Sequence, residues 1–410
     1  MTDASPAPPP EAVAPPAVEL HAGVPPLTTS PEGLMEAISA LQAGTGPIAV
    51  DAERASGFRY GQRAYLVQFH RRGSGTWLID PIAIADLSAL QEAIGDEEWV
   101  LHAASQDLPC LREIGLEPAR LFDTELAARL LGRDRVGLGP LVESELGMYL
   151  AKGHGAADWS TRPLPDSWLR YAALDVEVLL DLRDLLASDL DRAGKAAWAA
   201  EEFEAVRQAP SPPPRIDPWR RTSGLHRVRG RRALAIVKEV WWARDEIARE
   251  RDISPGRILP DAAIVAAASA APTSSDALLA LPEFVKPGAR RYARRWWGAV
   301  ERALALDEAA LPPATLAGDG PPPPRTWGDR DPDAAARLAA ARAALAAIAD
   351  GAGMPVENLV SPDAIRRICW RPPSEVDDAS VRLAMTELGA RRWQVDLVAP
   401  SLLEALGSTA

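Results

Sequence analysis

A chain of 410 residues, 47% apolar and 25% charged, exceeds what one ordinary core organises and reads as two or three soluble globular domains. Its two cysteines, Cys110 and Cys369, exclude a disulfide framework and leave too few ligands for a thiolate metal site. The net charge of −12 argues at first against a nucleic-acid partner, yet from Asp217 to Arg302 there are 17 Arg and Lys against 10 Asp and Glu, a local excess of +7 that leaves −19 on the remainder. Such a basic module is either an electrostatic footprint for a polyanion or a solvated helical face.

Along the chain, residues 1–27 are rich in Pro and Ala without hydrophobic periodicity and are expected to be disordered. The segment has neither the basic nor the apolar region of a secretory signal, and the longest run of small apolar residues, Ala262–Ala271, falls short of the about 20 that span a bilayer. A cytoplasmic chain is therefore expected, with no membrane and no obligate protein partner. Ala209-Pro-Ser-Pro-Pro-Pro-Arg215 marks a linker at 207–216, and the prolines between Leu311 and Pro332 mark a semi-extended one at 306–332. Three folded blocks remain: 28–206, 217–305 and 333–406.

In the first block, Ile48–Glu53 reads as a strand, and Ala64–Phe69 and Thr76–Asp80 as a hairpin across Arg71–Gly75. Helical spacing follows at Leu87–Ile94, then a short buried strand at Trp99–His102, with Ser105 as cap of a helix starting near Gln106. Ser167–Leu190 carries apolar residues at helical spacing and is expected to be one helix. The block is thus an α/β layered domain. The second and third blocks are helical, and their parallel segments Ile253–Pro260 and Met354–Pro362 suggest an internal duplication.

Asp51 and Glu53 stand at i and i+2 of the first strand and project from one face. Two acids on one face of an apolar strand repel each other and lose hydration unless a cation neutralises them, although the same pattern is ordinary on a solvated edge strand. Asp107 falls in the first turn of the helix after the Trp99 strand, where a carboxylate can also serve as a cap. Tyr171 and Asp175 lie one turn apart on the Ser167–Leu190 helix; alone, the tyrosine reads as a core aromatic with its hydroxyl at the rim.

In this order the acids and the tyrosine resemble the DEDD exonucleases of the tyrosine subclass, and their surroundings resemble ribonuclease D. The resemblance rests on Val50-Asp-Ala-Glu53 with Tyr65-Leu-Val-Gln68, on His102-Ala-Ala-Ser-Gln-Asp-Leu108, on Phe122-Asp-Thr-Glu125, and on Asp158-Trp-Ser-Thr-Arg-Pro-Leu164 with Tyr171-Ala-Ala-Leu-Asp175. It spans about residues 48–190. It implies a ribonuclease H-like exonuclease domain, a mixed sheet flanked by helices, followed by two all-α HRDC-like domains. It also implies two divalent ions, Mg²⁺ or Mn²⁺. Asp51, Glu53 and Asp175 would hold the first, Asp51 would bridge to the second, and Asp107 would support that one. Hard divalent cations take oxygen ligands, so carboxylates alone suffice. Tyr171 would orient the attacking water, since an unperturbed phenol with a pKa near 10 is a poor base at neutral pH. The chain departs from the family in Asp51-Ala-Glu53-Arg54, where the family has threonine between the acids and an aromatic or apolar residue after them; Arg54 is expected to be solvated.

Leu234–Ala303 resembles an HRDC domain through Trp241–Ala248, Ile253–Asp261 and Pro272–Leu278, and the third block resembles a second, looser HRDC-like module. Arg227, Arg229, Arg231 and Arg232, and Arg290, Arg291, Arg294 and Arg295, are candidate phosphate contacts. Trp296 and Trp297 are expected in the core rather than stacked on bases. The implied function is hydrolysis of RNA from a free 3′ end to nucleoside 5′-monophosphates, with tRNA precursors among the implied substrates. A DNA 3′→5′ exonuclease on the same domain is the nearer alternative, and a non-catalytic nucleic-acid scaffold the other. The intact ligand positions argue against the scaffold. No P-loop of the helicase type occurs.

Overall fold

Aliphatic and β-branched residues at Ile48–Val50 are wholly buried, and the strand they form is covered on both faces, which places it inside a sheet rather than at an edge. The structure, a computed structural model, describes residues 15–151, 153–211, 213–315 and 320–407. Its first block carries β1 (Leu27–Thr28), β2 (Thr45–Arg54), β3 (Ala64–Arg72), β4 (Gly75–Ile79), β5 (Glu98–Leu101) and β6 (Arg120–Asp123). They form one mixed sheet in the order β1-β4-β3-β2-β5-β6. β2 runs antiparallel to β3 and parallel to β5, and Asp51 stands opposite Gln68. The pairing of β2 with β3 slips by one residue between Glu53 and Arg54, which face Leu66 and Ala64, so the extra residue is Tyr65 on β3.

The helices of this block are α1 (Pro31–Ala43), α2 (Ser88–Ile94), α3 (Leu108–Glu113), α4 (Thr124–Leu130), α5 (Leu138–Leu146), α6 (Asp166–Glu177), α7 (Leu179–Arg192) and α8 (Ala196–Gln208). α6 lies over β2, β3 and β4, which brings Tyr171 and Asp175 to the face carrying Asp51 and Glu53. Its lead-in is locked by Arg162, which donates to both Asp80 oxygens, to the Tyr65 carbonyl and to the Trp159 carbonyl.

Several expectations need correction. Residues 15–27 are ordered onto the first block: Val18 is buried, its N–H bonds the Tyr149 carbonyl, Leu27–Thr28 pairs with β4, and His21 meets Glu177. A Pro/Ala-rich segment can thus be tied down by a few apolar and hydrogen-bonding residues; 1–14 lie outside the described residues. The expected Ser167–Leu190 helix is two, divided at Val178, where the buried Glu177 turns to accept Thr76 and His21. Nor does Ser105 cap a helix at Gln106. Ala104–Gln106 is a single 3₁₀ turn, and α3 starts at Leu108, where Pro109 in the first turn lacks an N–H that needs a partner.

The second block is built on the Arg231–Arg251 helix, against which Asp261–Ala270 and Ala293–Ala305 pack around the buried Trp219 and Trp296. The third is built on Pro332–Ala352, packed by Pro362–Trp370 and Arg392–Gly407. Each has a 21-residue helix followed by one of four residues. The 306–332 linker is absorbed at both ends. Leu311 is buried in the second block's core, and Trp327 is wholly buried beside Trp370, because apolar side chains of this size gain more from burial than an extended linker allows.

The first and third blocks share one continuous core. Trp198 of α8 stacks on Trp393 at 4.8 Å, and Trp393 donates to Glu202. A Cβ on Gly132 would lie 2.2 Å from the Gly353 carbonyl oxygen, so only glycine permits that approach of the two backbones. The second block grips the loop after β2. Asp252 accepts the N–H groups of Tyr60 and Gly61, Asp245 accepts the Tyr60 hydroxyl, and Ser254 bonds the carbonyls of Gly57 and Phe58. Among the described residues no helix is long and apolar enough to cross a membrane.

Candidate active site

β2 delivers Asp51 and Glu53 from one face of the central strand, and α6 lays Asp175 across them. One carboxylate oxygen from each of these three residues falls within 4.8 Å of the others. Glu53, Asp107 and Asp175 are buried, and Asp51 is half-buried. Such crowding is costly without a counter-charge. Burial, reinforced by Asp51, Asp175 and Asp107, pushes the Glu53 carboxyl well above the usual carboxylate range. Burial and the neighbouring Asp51 push Asp175 up to about 8, against a hydrogen bond from Tyr171 that works the other way. Burial raises Asp51 as well. A donor set of oxygen atoms alone, too negative for its surroundings, fits a hard divalent cation.

Asp107 stands near enough to Asp51 and Glu53 to interact with both by charge. It occupies the position just before α3, after a turn in which Ala103 adopts a left-handed conformation at φ 59°. That turn is held by Asp123, whose carboxylate accepts the N–H groups of Ala103 and Ala104 and also caps α4 through Glu125 and Leu126. Asp123 carries a positioning task that sequence reasoning did not assign, although the segment Phe122–Glu125 had drawn attention. A buried acid directly before a helix start was the available signal.

Arg54 corrects an expectation. Its Nη2 lies 3.2 Å from Asp107 Oδ1, and its side chain is 27% exposed, so it faces the cleft instead of bulk water. Strict alternation would send it to the opposite face, but Arg54 is the last residue of β2, where alternation no longer has to hold. Arg54 lines a cleft of about 410 Å³ together with Glu53, Gln106 and the segment Gly155–Ala157, a size in the range of small-ligand sites.

Tyr171 is half-buried, hydrogen-bonded to Asp175. Burial first, then the charges of Asp175 and Glu53, raises its phenol above the ordinary value, so the hydroxyl keeps its proton at neutral pH. The loop before α6 closes over the ring. A Cβ on Gly153 would lie 2.3 Å from Tyr171 Cδ2, and the His154 ring meets Tyr171 edge-on at 5.9 Å.

The eight candidate arginines of the second block are not brought to this cleft as a group. Arg231 donates to the carbonyls of Leu311 and Pro312, and Arg232 caps the end of the Ala293–Ala305 helix through the carbonyls of Ala303, Leu304 and Leu306. Arg229 bonds the His226 carbonyl, Arg295 pairs with Glu246 and Glu250, and Arg291 lies over Tyr292. Arg227, Arg290 and Arg294 are exposed. Trp296 is fully buried, its indole N–H donated to the Ala289 carbonyl, and Trp297 is half-buried.

Comparison with known proteins adds to this geometry. Residues 27–191 match the family described as 3′-5′ exonuclease, residues 233–300 the HRDC domain, and residues 320–406 the 3′ to 5′ exonuclease C-terminal domain. The ribonuclease D of Gluconacetobacter diazotrophicus is 32% identical, over 67% of this chain and 71% of its own. That of Xanthomonas oryzae pv. oryzae is also 32% identical, over 71% of this chain and 80% of its own. Among solved structures, a protein from Bifidobacterium adolescentis superposes with a TM-score of 0.86 at 39% identity, covering 96% of this chain and 99% of that one. Escherichia coli RNase D, described as an exoribonuclease involved in structured RNA processing, superposes with a TM-score of 0.66 at 27% identity, covering 93% and 98%.

Proposed function

This chain belongs to the ribonuclease D family of 3′→5′ exoribonucleases, and from that premise we propose that it removes nucleotides one at a time from a free RNA 3′ end by a two-metal-ion mechanism. The supporting observation is the crowding of Asp51, Glu53 and Asp175, three carboxylates in a poorly hydrated place with their oxygens within 4.8 Å of one another. They would hold one Mg²⁺ or Mn²⁺, and Asp51 with Asp107 a second. Bound there, such ions supply an activated water and neutralise charge on the attacking and leaving oxygens.

The protein's own groups do the positioning. Tyr171 keeps its proton and, anchored on Asp175, orients the water as a hydrogen-bond donor and acceptor, not as a base. Gly153 and His154 cover that ring and limit access of bulk water to it. The products are nucleoside 5′-monophosphates, and the leaving group at each step is the 3′-oxygen of the shortened strand. tRNA precursors and other stable RNAs with unpaired 3′ tails are the substrates we assign, with Arg227, Arg290 and Arg294 as the phosphate contacts of the second block. We place the protein in the cytoplasm, in keeping with two cysteines that are buried and unpaired.

The test is a side-by-side digestion of RNA and DNA strands of matched sequence, each with a 3′ hydroxyl. Preference for RNA is the expected result. Equal rates would move the function to a general 3′→5′ exonuclease.

A further inference from the structure

We propose that Arg54 is a tethered counter-cation for Asp107 that competes with the second divalent ion, so that this chain binds one ion tightly and the second only by displacing the guanidinium. The inference rests on the metal reading above and adds to it a residue that departs from the family's pattern.

Three observations carry it. The guanidinium Nη2 sits 3.2 Å from Asp107 Oδ1, while the Asp107 side chain is only 8% exposed, so the pair is shielded from solvent on the acid's side. The oxygens that gather within 4.8 Å belong to Asp51, Glu53 and Asp175, and Asp107 stands outside that group. One ion can therefore be held without disturbing Arg54, whereas an ion reaching Asp107 meets a fixed positive charge. Arg54, finally, lines the cleft together with Glu53 and Gln106.

The physical consequence follows from charge. A guanidinium does not lose its proton in the working pH range, so Arg54 can yield Asp107 only by moving. Its side chain is a quarter exposed and opens on the cleft, which gives it somewhere to go. Like charges a few ångströms apart in partly buried surroundings weaken each other's binding by an amount that matters. The ion served by Asp107 is then the one whose occupancy limits turnover at low metal concentration.

The experiment uses the full chain stripped with chelator and titrated with Mn²⁺, with free aquo-Mn²⁺ followed by electron paramagnetic resonance. Wild type, Arg54→Gln and Arg54→Lys are compared, each checked for an unchanged near-ultraviolet circular dichroism spectrum. Wild type is expected to take one ion tightly and a second at least ~10-fold more weakly, and Arg54→Gln to tighten the second by about 10-fold, the scale typical of groups around a metal site. Arg54→Lys, which keeps the charge, is expected to leave the second ion weak. The proposal is overturned if wild type holds two equally tight ions, if Arg54→Gln leaves the second unchanged, or if Arg54→Lys tightens it as much as Arg54→Gln does. If none of the three binds any ion, the metal reading falls together with it, an outcome distinct from the other three.

Discussion

The Asp123 carboxylate accepts the backbone N–H of Ala103 at 3.1 Å and that of Ala104 at 2.8 Å, and so holds the left-handed turn from which Asp107 is presented. Burial pushes Asp123 up to about 6, opposed by these same N–H donors. Asp123→Ala leaves those donors buried without partners, at a cost of about 1–3 kcal/mol. It is expected to lower the denaturant midpoint and kcat, because Asp107 loses its seat, while KM for RNA changes less. An unchanged kcat would separate Asp123 from the site.

The carboxylate cluster makes the metal-free protein sensitive to pH. Asp175 rises from 3.8 to about 8 on folding, through burial and then through Asp51, so the folded state binds a proton that the unfolded chain has released. The stabilisation is complete below the unfolded value and is lost as pH climbs through the folded one, a window of about pH 4 to pH 8. In chelator, Tm is expected to fall by several degrees across this window. With Mn²⁺ the slope should flatten or reverse, since the metal requires the deprotonated carboxylates. Calorimetry at matched ionic strength reads both curves, and identical slopes with and without Mn²⁺ would contradict the cluster's role.

Tyr171 is expected to act through its hydroxyl alone. Tyr171→Phe keeps the ring under Gly153 and His154 but removes the hydrogen bond to Asp175. Turnover should drop by ~10²-fold, the scale of a positioned proton-handling group, with Mn²⁺ stoichiometry unaffected. Loss of the bound ion in this variant would mean that the tyrosine supports the metal instead of the water.

How far the site could be read in the sequence depends on the geometry each residue obeys. Asp51 and Glu53 follow strand alternation, and Tyr171 and Asp175 follow helical spacing, so their shared faces were legible in the sequence. Arg54 was not, because it is the last residue of β2, where alternation no longer fixes the face and its partner Asp107 lies 53 positions away. The segment holding Asp123 was legible but its positioning role was not, because its partners lie 19 and 20 positions away, in a turn whose left-handed residue is alanine and not glycine. The break at Val178 and the docking of residues 15–27 depend on tertiary partners, Glu177 and Tyr149 among them, that hydrophobic periodicity does not encode.

The third block is a structural part of the exonuclease body rather than an appendage. Trp393 is buried, stacked on Trp198 and bonded to Glu202 across the shared core. Trp393→Ala is expected to cost about 3–5 kcal/mol and to expose α8 to limited proteolysis. A truncation at residue 217 would strip the same surface, which makes point substitutions the better probe of the helical blocks. Wild-type stability in Trp393→Ala would show that the blocks fold independently.

The most direct measurement is the product ladder of a 5′-labelled single-stranded RNA incubated with Mn²⁺ and either wild type or Asp175→Asn. Wild type should shorten the strand one nucleotide at a time from the 3′ end. Asp175→Asn should slow this by about 10³-fold, equivalent to several kcal/mol of lost charge stabilisation, while its circular dichroism spectrum stays native. Internal cuts, or a ladder of equal rate from the Asp175→Asn protein, would contradict an exonuclease built on Asp51, Glu53, Asp107 and Asp175.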